Sequence, residues 1–253
     1  MGVDLIAKNV PGSWNTEIQP SVTRGLELWV ETNTDADHCR FNRAPGKPGL
    51  VVIGAPVYSA QSTRFKALSN FLQSRVSETP EQTLFVLGKA ANPIPAGSSS
   101  SGDVGTVVYI SNNRGVNITP GTTGLGFGTS LYHVAPTTLT GTGSRANAGA
   151  SSTGQITLTG ETPTNWAVRA VRVIPGGSTG VKNLTRAASN ESGLTTPRVL
   201  SDSRFRIGST TGEHQGEVDI ALAIIYSVAL TDDEINLVYE DMRAFAGRLG
   251  IIA

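Results

Sequence analysis

The sequence predicts an all-β fold, two antiparallel sheets closed into a jelly-roll sandwich, with one amphipathic helix at the C-terminus. Three observations carry that prediction. Glycine at 29 positions, proline at 13 and frequent Ser and Thr divide the 253 residues into short segments of alternating or continuous apolar character, the pattern of strands joined by turns. No helical period separates successive strand candidates, which argues against a parallel sheet with crossover helices. The long helical stripe comes last, directly after the longest apolar run.

That run is Glu217-Val-Asp-Ile-Ala-Leu-Ala-Ile-Ile-Tyr226, bounded upstream by Gly212 and Gly216. A strand with one solvated face would need a polar residue at every second position, so this one is expected to be covered on both faces. Thr231 and Glu234 have the spacing of a reciprocal capping box and mark a helix start. Ile235, Val238, Tyr239, Met242, Phe245, Ala246 and Leu249 then recur at steps of three and four, one stripe of a helix over 231–249, with Leu237 off the stripe. Asp232 and Asp233 sit at its positive end, Arg243 and Arg248 near its negative end, and Gly250 supplies a stop.

Upstream, residues 1–24 read as an arm that cannot bury enough surface to order itself, with Leu5, Ile6 and Trp14 as the groups that would anchor it on its own domain or on a neighbouring subunit. Residues 25–253 form the sandwich domain. Leu26, Leu28 and Val30 alternate with Glu27, Trp29 and Glu31 in the first strand. A polar loop with Asn33, Asp35 and Asp37 follows, then Leu50–Ile53 and Pro56–Tyr58, broken by Gly54-Ala-Pro56. Arg64–Leu72 fits either strands or a short helix, and Thr83–Leu87 is a buried strand after the turn Ser77–Glu81. Pro95–Gly105 reads as a Ser/Gly loop and Thr106–Ile110 as a strand; Gly124–Gly128 and Ser130–Val134 form a weaker pair. Thr137–Ser152 lacks large apolar groups and is expected to be a mobile surface loop. Ile156 with Leu158, and Trp166–Ile174, supply two more strands, the second meeting solvent at Arg169 and Arg172. Pro175–Ser203 is expected to be mostly loop, and Phe205 with Ile207 a short strand leading into the long one.

Composition bounds the function. Lys and Arg (20) balance Asp and Glu (20), and charged residues make up 16%, so no global field draws the chain to nucleic acid or to an anionic membrane. Cys39 is the one cysteine, so no intrachain disulfide forms and stability rests on packing or assembly. Met1–Val10 is too short and polar for a signal peptide, and no apolar run reaches membrane-spanning length. Synthesis in the cytoplasm, with no membrane insertion, is the expectation.

Three stretches resemble the end of concanavalin A-like, laminin-G-like domains: Phe205-Arg-Ile-Gly208, Gly216–Tyr226 and Ala229-Leu-Thr-Asp-Asp-Glu-Ile235. Ile53-Gly-Ala-Pro-Val57, Phe65-Lys-Ala-Leu68, Asn70-Phe-Leu72 and Thr83-Leu-Phe-Val86 resemble the version found in structural proteins of tailed bacteriophage and prophage. The resemblance implies a β-sandwich used for carbohydrate recognition, protein contact or particle assembly, and a shared fold does not choose among them.

The chemistry of the residues narrows the choice. Retaining glycosidases on such sandwiches carry Glu-x-Asp-x-x-Glu on one strand; here Glu217 and Asp219 are present but the third position is Leu222, so half of the two-carboxylate machinery is missing. The plain reading is that Glu217 and Asp219 sit at a strand rim and satisfy turns or an arginine. Glu31, Asn33, Asp35 and Asp37 form the best oxygen-ligand cluster and a candidate Ca2+ site, yet they lack the hinge Gly and closing Glu of a calcium loop, and a solvated acidic loop is the plainer reading. His38 beside Cys39 has no further ligands at metal-binding spacing. No Gly-x-Ser-x-Gly elbow or phosphate loop is present. For sugar contact the candidates are Trp29, Trp166 and the Tyr132-His133 pair, weighed against core packing.

The expected function is accordingly non-enzymatic: a virion structural subunit of a tailed phage (tail, fibre or surface decoration) that assembles as a homo-oligomer with other virion proteins, without a cofactor. The alternative is a lectin module that binds a host surface glycan, and behind it a glycan hydrolase or lyase.

Overall fold

The computed structural model describes residues 19–192 and 196–253. The anchors expected at Leu5, Ile6 and Trp14 lie outside the described residues. The end of the arm docks on the C-terminal helix, where the Ser21 backbone and hydroxyl both donate to Asp241 at 2.8 Å and Arg24 pairs with Glu234 at 2.7 Å.

In chain order the first elements are β1 (Leu26–Glu31), α1 (Ala36–Arg40), β2 (Val51–Ile53), β3 (Val57–Tyr58), β4 (Thr63–Lys66) and β5 (Phe71–Gln73). Next come β6 (Gln82–Ala90), β7 (Val107–Ser111), β8 (Gly115–Val116), β9 (Leu125–Gly126), β10 (Thr129–Ala135) and β11 (Thr138–Gly143). The remainder holds β12 (Arg145–Asn147), β13 (Ala150–Ser152), β14 (Ile156–Leu158), β15 (Ala167–Val173), β16 (Thr179–Asn183), β17 (Ala188–Ser192), β18 (Arg206–Ile207), β19 (Glu217–Tyr226) and α2 (Asp232–Arg248). Two large antiparallel sheets stack as a sandwich. One has eight strands in the order β17-β16-β15-β6-β19-β4-β3, with β1 also on β19; the other has seven, β14-β11-β10-β7-β18-β5-β2. The expected architecture is the one observed.

Alternation along β19 divides the core in two. Val218, Ile220, Ala223 and Ile225 face the second sheet, where Ile110, Leu131, Phe205 and Ile207 meet them. Ala221, Leu222, Ile224 and Tyr226 face outward, under Ile235, Val238, Met242 and Phe245 of α2. The helix begins at the capping box of Thr231 and Glu234, and Leu237 stays exposed, as the stripe requires. Each apolar side chain the helix buries contributes roughly 1.5–3 kcal/mol, so the sheet and its cover stabilise each other.

Several expectations are corrected. Thr137–Ser152 is no mobile loop: β11 lies inside the second sheet between β10 and β14. It lacks bulk because the sheets approach closely there; a Cβ on Gly141 would come within 2.8 Å of Val171 Cγ2, and one on Gly143 within 2.7 Å of Val173 Cγ1. Pro175–Ser203 carries β16 and β17, which extend the larger sheet to a polar edge. Of the two alternatives for Arg64–Leu72, the strands are observed, as β4 and β5, while the loop after β1 contains α1. Arg169, expected at solvent, is fully buried between the sheets, where it donates to Gly88 O at 2.7 Å, pairs with Glu161 at 3.2 Å and lies 5.4 Å from the Tyr109 ring centroid. Glu161 also accepts from Asn183 and Arg186, so the buried charges are compensated rather than hydrated. Trp29 is 4% exposed and packs beneath α2. Cys39 is buried, and burial pushes its thiol up to about 11.

Two predictions follow from burial. Trp29→Ala should lower unfolding free energy by roughly 3–5 kcal/mol in urea titration, the usual loss for a large core aromatic. His214 is 2% exposed, its ring tilted against that of Tyr132 at 5.1 Å between centroids, and burial pushes its pKa from 6.5 down to about 4. Above pH 6.5 both folded and unfolded chains hold it neutral; as pH falls from about 6.5 to 4 only the unfolded chain takes the proton, and stability is lost. His133, buried and also depressed, adds in the same direction. His214→Asn, which suits the positive φ of 65° at this position, should make the loss between pH 7 and 4.5 shallower by about 2–3 kcal/mol in urea titrations at the two values.

Candidate functional site

The outer face of the larger sheet changes character at one point. A bulge at Ala221 shifts the register of β19 against β6 between Ile220 and Leu222, so two successive residues, Ala221 and Leu222, take the outward side. Toward Tyr226 that face is apolar and lies under α2. Toward Glu217 it is charged and open.

On the open part, strand register lines up one row. Asp219 is opposite Lys89 of β6 on one side and Arg64 of β4 on the other, and Arg64 is opposite Val57 of β3. Ala167 pairs with Gly88, which sets Trp166 beside Lys89 at the far end. Arg64 grips Asp219 with two bonds, Nε to Oδ1 at 2.8 Å and Nη2 to Oδ2 at 3.0 Å. Lys89 Nζ lies 3.9 Å from Asp219 Oδ2 and 5.3 Å from the Trp166 ring centroid. Glu217 and Lys66 form the next cross-strand pair. Asp219 is nearly buried at 10% side-chain exposure, while Arg64 keeps 45%, Lys89 30%, and Trp166 is half-buried. The bond to Asp219 raises the pKa of Arg64.

This arrangement offers an aromatic surface, a carboxylate held in one orientation and two cations with donors left over. The carboxylate is nearly buried and clamped, while Arg64 and Lys89 keep part of their surface in solvent, so the row both ties β4 to β19 and leaves charge free to meet a partner. Its chemistry is that of a polar recognition surface, in which an apolar patch meets C–H groups and fixed polar groups orient hydroxyls or carboxylates. The bulge also returns position 222 to the face of Glu217 and Asp219, where a second catalytic carboxylate would stand; that position is Leu222, fully buried under α2.

The other sequence candidates go elsewhere. Tyr132 and His133 are neighbours on a strand and therefore point to opposite faces: Tyr132 outward, 9% exposed, with its hydroxyl 3.5 Å from Gln155, and His133 inward, fully buried, with Nε2 3.6 Å from Glu161. Trp29 is under the helix, so Trp166 is the one of these four that reaches the open face. Glu31, Asn33, Asp35 and Asp37 do not converge. Glu31 pairs with Arg43 at 3.0 Å and His38 at 3.4 Å; burial opposes its ionisation, but the bond from His38 and the charge of Arg43 outweigh it and hold the carboxyl below its ordinary value. Asn33 donates to Ala60 O, Asp35 caps α1 by accepting from His38 N at 2.8 Å, and Asp37, 91% exposed, pairs with Arg40. Among the described residues no group of three or more His, Cys, Asp and Glu side chains is placed to hold a metal ion, and no helix is long and apolar enough to cross a membrane. The expectation that Asp219 satisfies an arginine is met by Arg64; which arginine it is, and Lys89 beside it, sequence reasoning missed, because their link to Asp219 exists only through strand register.

No known family model matches the chain, and no curated protein matches it. Solved structures do. The binding domain of botulinum neurotoxin DC in complex with SialylT superposes with a TM-score of 0.59 at 9% identity, over 87% of this chain and 52% of that one. The ligand-binding domain of botulinum neurotoxin serotype D in complex with N-acetylneuraminic acid gives 0.59 at 11% over 87% and 52%. The neurotoxin DC binding domain with rat synaptotagmin II gives 0.58 at 8%, again over 87% and 52%. This chain spans about half the length of these structures. At such identity the likeness establishes a shared β-sandwich fold and no more.

Proposed function

We propose that the chain is a non-catalytic recognition module that binds a surface glycan through the row Trp166–Lys89–Asp219–Arg64. The observation that supports this reading most is that strand register brings an aromatic ring, a clamped carboxylate and two part-exposed cations together on the part of the outer sheet that α2 leaves open. Three of the similar structures are complexes with SialylT, N-acetylneuraminic acid or rat synaptotagmin II, which accords with a binding role for the fold. Contact through side chains alone needs no cofactor, and Glu31, Asp35 and Asp37 are already committed to local ion pairs and a helix cap.

A second reading concerns where the module works. The resemblance of Ile53–Val57, Phe65–Leu72 and Thr83–Val86 to phage structural proteins favours a subunit of a tailed-phage particle, in a tail, a fibre or a surface decoration, associated with copies of itself and with other virion proteins. The two readings are compatible: a particle that reaches its host by a glycan needs such a face.

A glycan array of neutral and sialylated saccharides tests the binding role. Saturable binding is expected, at least tenfold weaker in Trp166→Ala and also reduced in Asp219→Asn, which loosens Arg64, while urea stability changes little beside that of Trp29→Ala. Absence of binding across the array, or unchanged binding in Trp166→Ala, would refute it. Light scattering of the same protein is expected to show an oligomer; a monomer at high concentration would remove the particle-subunit reading.

A further inference from the structure

The outer face of the second sheet carries charge that the chain itself does not answer. Phe205 and Ile207 point into the core, so by alternation Arg206 faces outward, and Arg204 is exposed two residues before it. Arg75 is exposed as well, between Ser74 and Val76, whose backbones bond Phe205. Arg206 lies 4.8 Å from the Phe71 ring centroid and donates from Nε to Gln73 Oε1 at 3.0 Å and from Nη1 to Thr210 O at 2.7 Å, all neutral partners. Burial lowers its pKa, and no carboxylate opposes that shift. The acids nearest in the chain are engaged elsewhere: Glu78 with Arg198, Glu213 with Arg114, and Asp202 with Val116 N at 2.8 Å. Among the described residues, Arg75, Arg204 and Arg206 therefore have no carboxylate partner. Like charges on neighbouring strands repel, so the group opposes folding unless something outside the chain compensates it.

The opposite outer face, over the larger sheet, has the complementary sign. Helix α2 holds five acids and two arginines. Its core side is Ile235, Val238 and Met242, and steps of three and four put Asp233, Leu237 and Glu240 on the ridge farthest from that side. Asp233 is exposed and has no cationic partner among the described residues, Leu237 is 49% exposed, and the Glu240 side chain, 64% exposed, pairs with Arg243 at the surface. The helix dipole accounts for acids in the first turn but not for Glu240, well inside the helix. On the basic side Val51, 50% exposed, pairs with Gln73, which pairs with Arg206, so an apolar spot lies beside the guanidiniums as Leu237 lies between the carboxylates. The two faces point away from each other and cannot meet within one chain. Two copies in the same orientation bring them together.

We propose that the arginine face docks a second copy of this chain, the α2 ridge of one copy seated against Arg75, Arg204 and Arg206 of the next. The inference rests on the particle-subunit reading and supplies its contact; it uses none of the residues of the glycan row. Because the two surfaces differ, the contact is heterologous and repeats into a ring or a filament. Sedimentation velocity of the full chain across a salt series tests it. Assembly should weaken at least tenfold between about 0.1 M and 1 M salt, as the screening length falls from about 10 Å to about 3 Å, a readout that needs no variant to fold. Arg204→Glu and Asp233→Lys, both at exposed positions, should each weaken assembly at least tenfold with a urea midpoint close to that of the unaltered chain. An equimolar mixture of the two should recover it, since each reversed face then meets its opposite. Assembly indifferent to salt and to both substitutions would overturn the proposal and leave the particle-subunit reading standing, whereas a monomer at low salt would overturn both. Two folded variants that fail to assemble when mixed would overturn it as well. So would a chain that stays monomeric while its arginines take up inorganic polyphosphate, which assigns them to an anionic ligand instead.

Discussion

The fold depends on the pairing of β19, whose two edges are both paired and whose two faces are both covered from Ile220 to Tyr226. β6 runs along one edge from Val218 to Tyr226. The other edge is shared end to end, β4 on Glu217–Ile220 and β1 on Leu222–Tyr226. Where the two partners meet, the Thr32 hydroxyl donates to Ile220 O and the Thr63 hydroxyl to Thr32 O, so the join leaves its buried carbonyls satisfied. The bulge at Ala221 falls at the same place. One irregularity therefore sets both the pairing change and the boundary between the helix-covered face and the charged row.

That boundary explains which parts of the molecule were legible in the sequence. A ribbon buried on both faces must be apolar at nearly every position, and Ile220–Tyr226 is, so the strand could be read directly. The capping box of Thr231 and Glu234 and the stripe behind it are local signals and were equally readable. Strand β11 was not, because close approach of the sheets selects glycine and threonine, which in a sequence look like loop. Arg169 misled for a related reason: its counter-charge, Glu161, lies on a connection whose position the sequence does not reveal.

The candidate site was visible only in fragments. Trp166 and Asp219 stood out singly, but the ion pair between Arg64 and Asp219 spans 155 positions, and register alone brings them together. Trp29 and Trp166 carry the same chemistry; the footprint of α2 buries one and leaves the other half-exposed. Adjacent Tyr132 and His133 looked like one site because sequence proximity conceals the alternation of a strand.

The molecule handles its charges in two ways. Glu161 with Arg169, Asn183 and Arg186 closes a compensated network between the sheets, where it can fix packing but meets no ligand. The row anchors its cations on a nearly buried Asp219, while Arg64 and Lys89 keep part of their surface in solvent, where a partner could reach them. The row on Asp219 presupposes that β19 is the last element to open. Amide hydrogen exchange measured residue by residue tests this most directly: the Val218–Ile225 amides bonded into β6 should exchange only with the free energy of global unfolding found in urea. Exchange of those amides through a cheaper local opening than that of β10 and β11 would contradict the account.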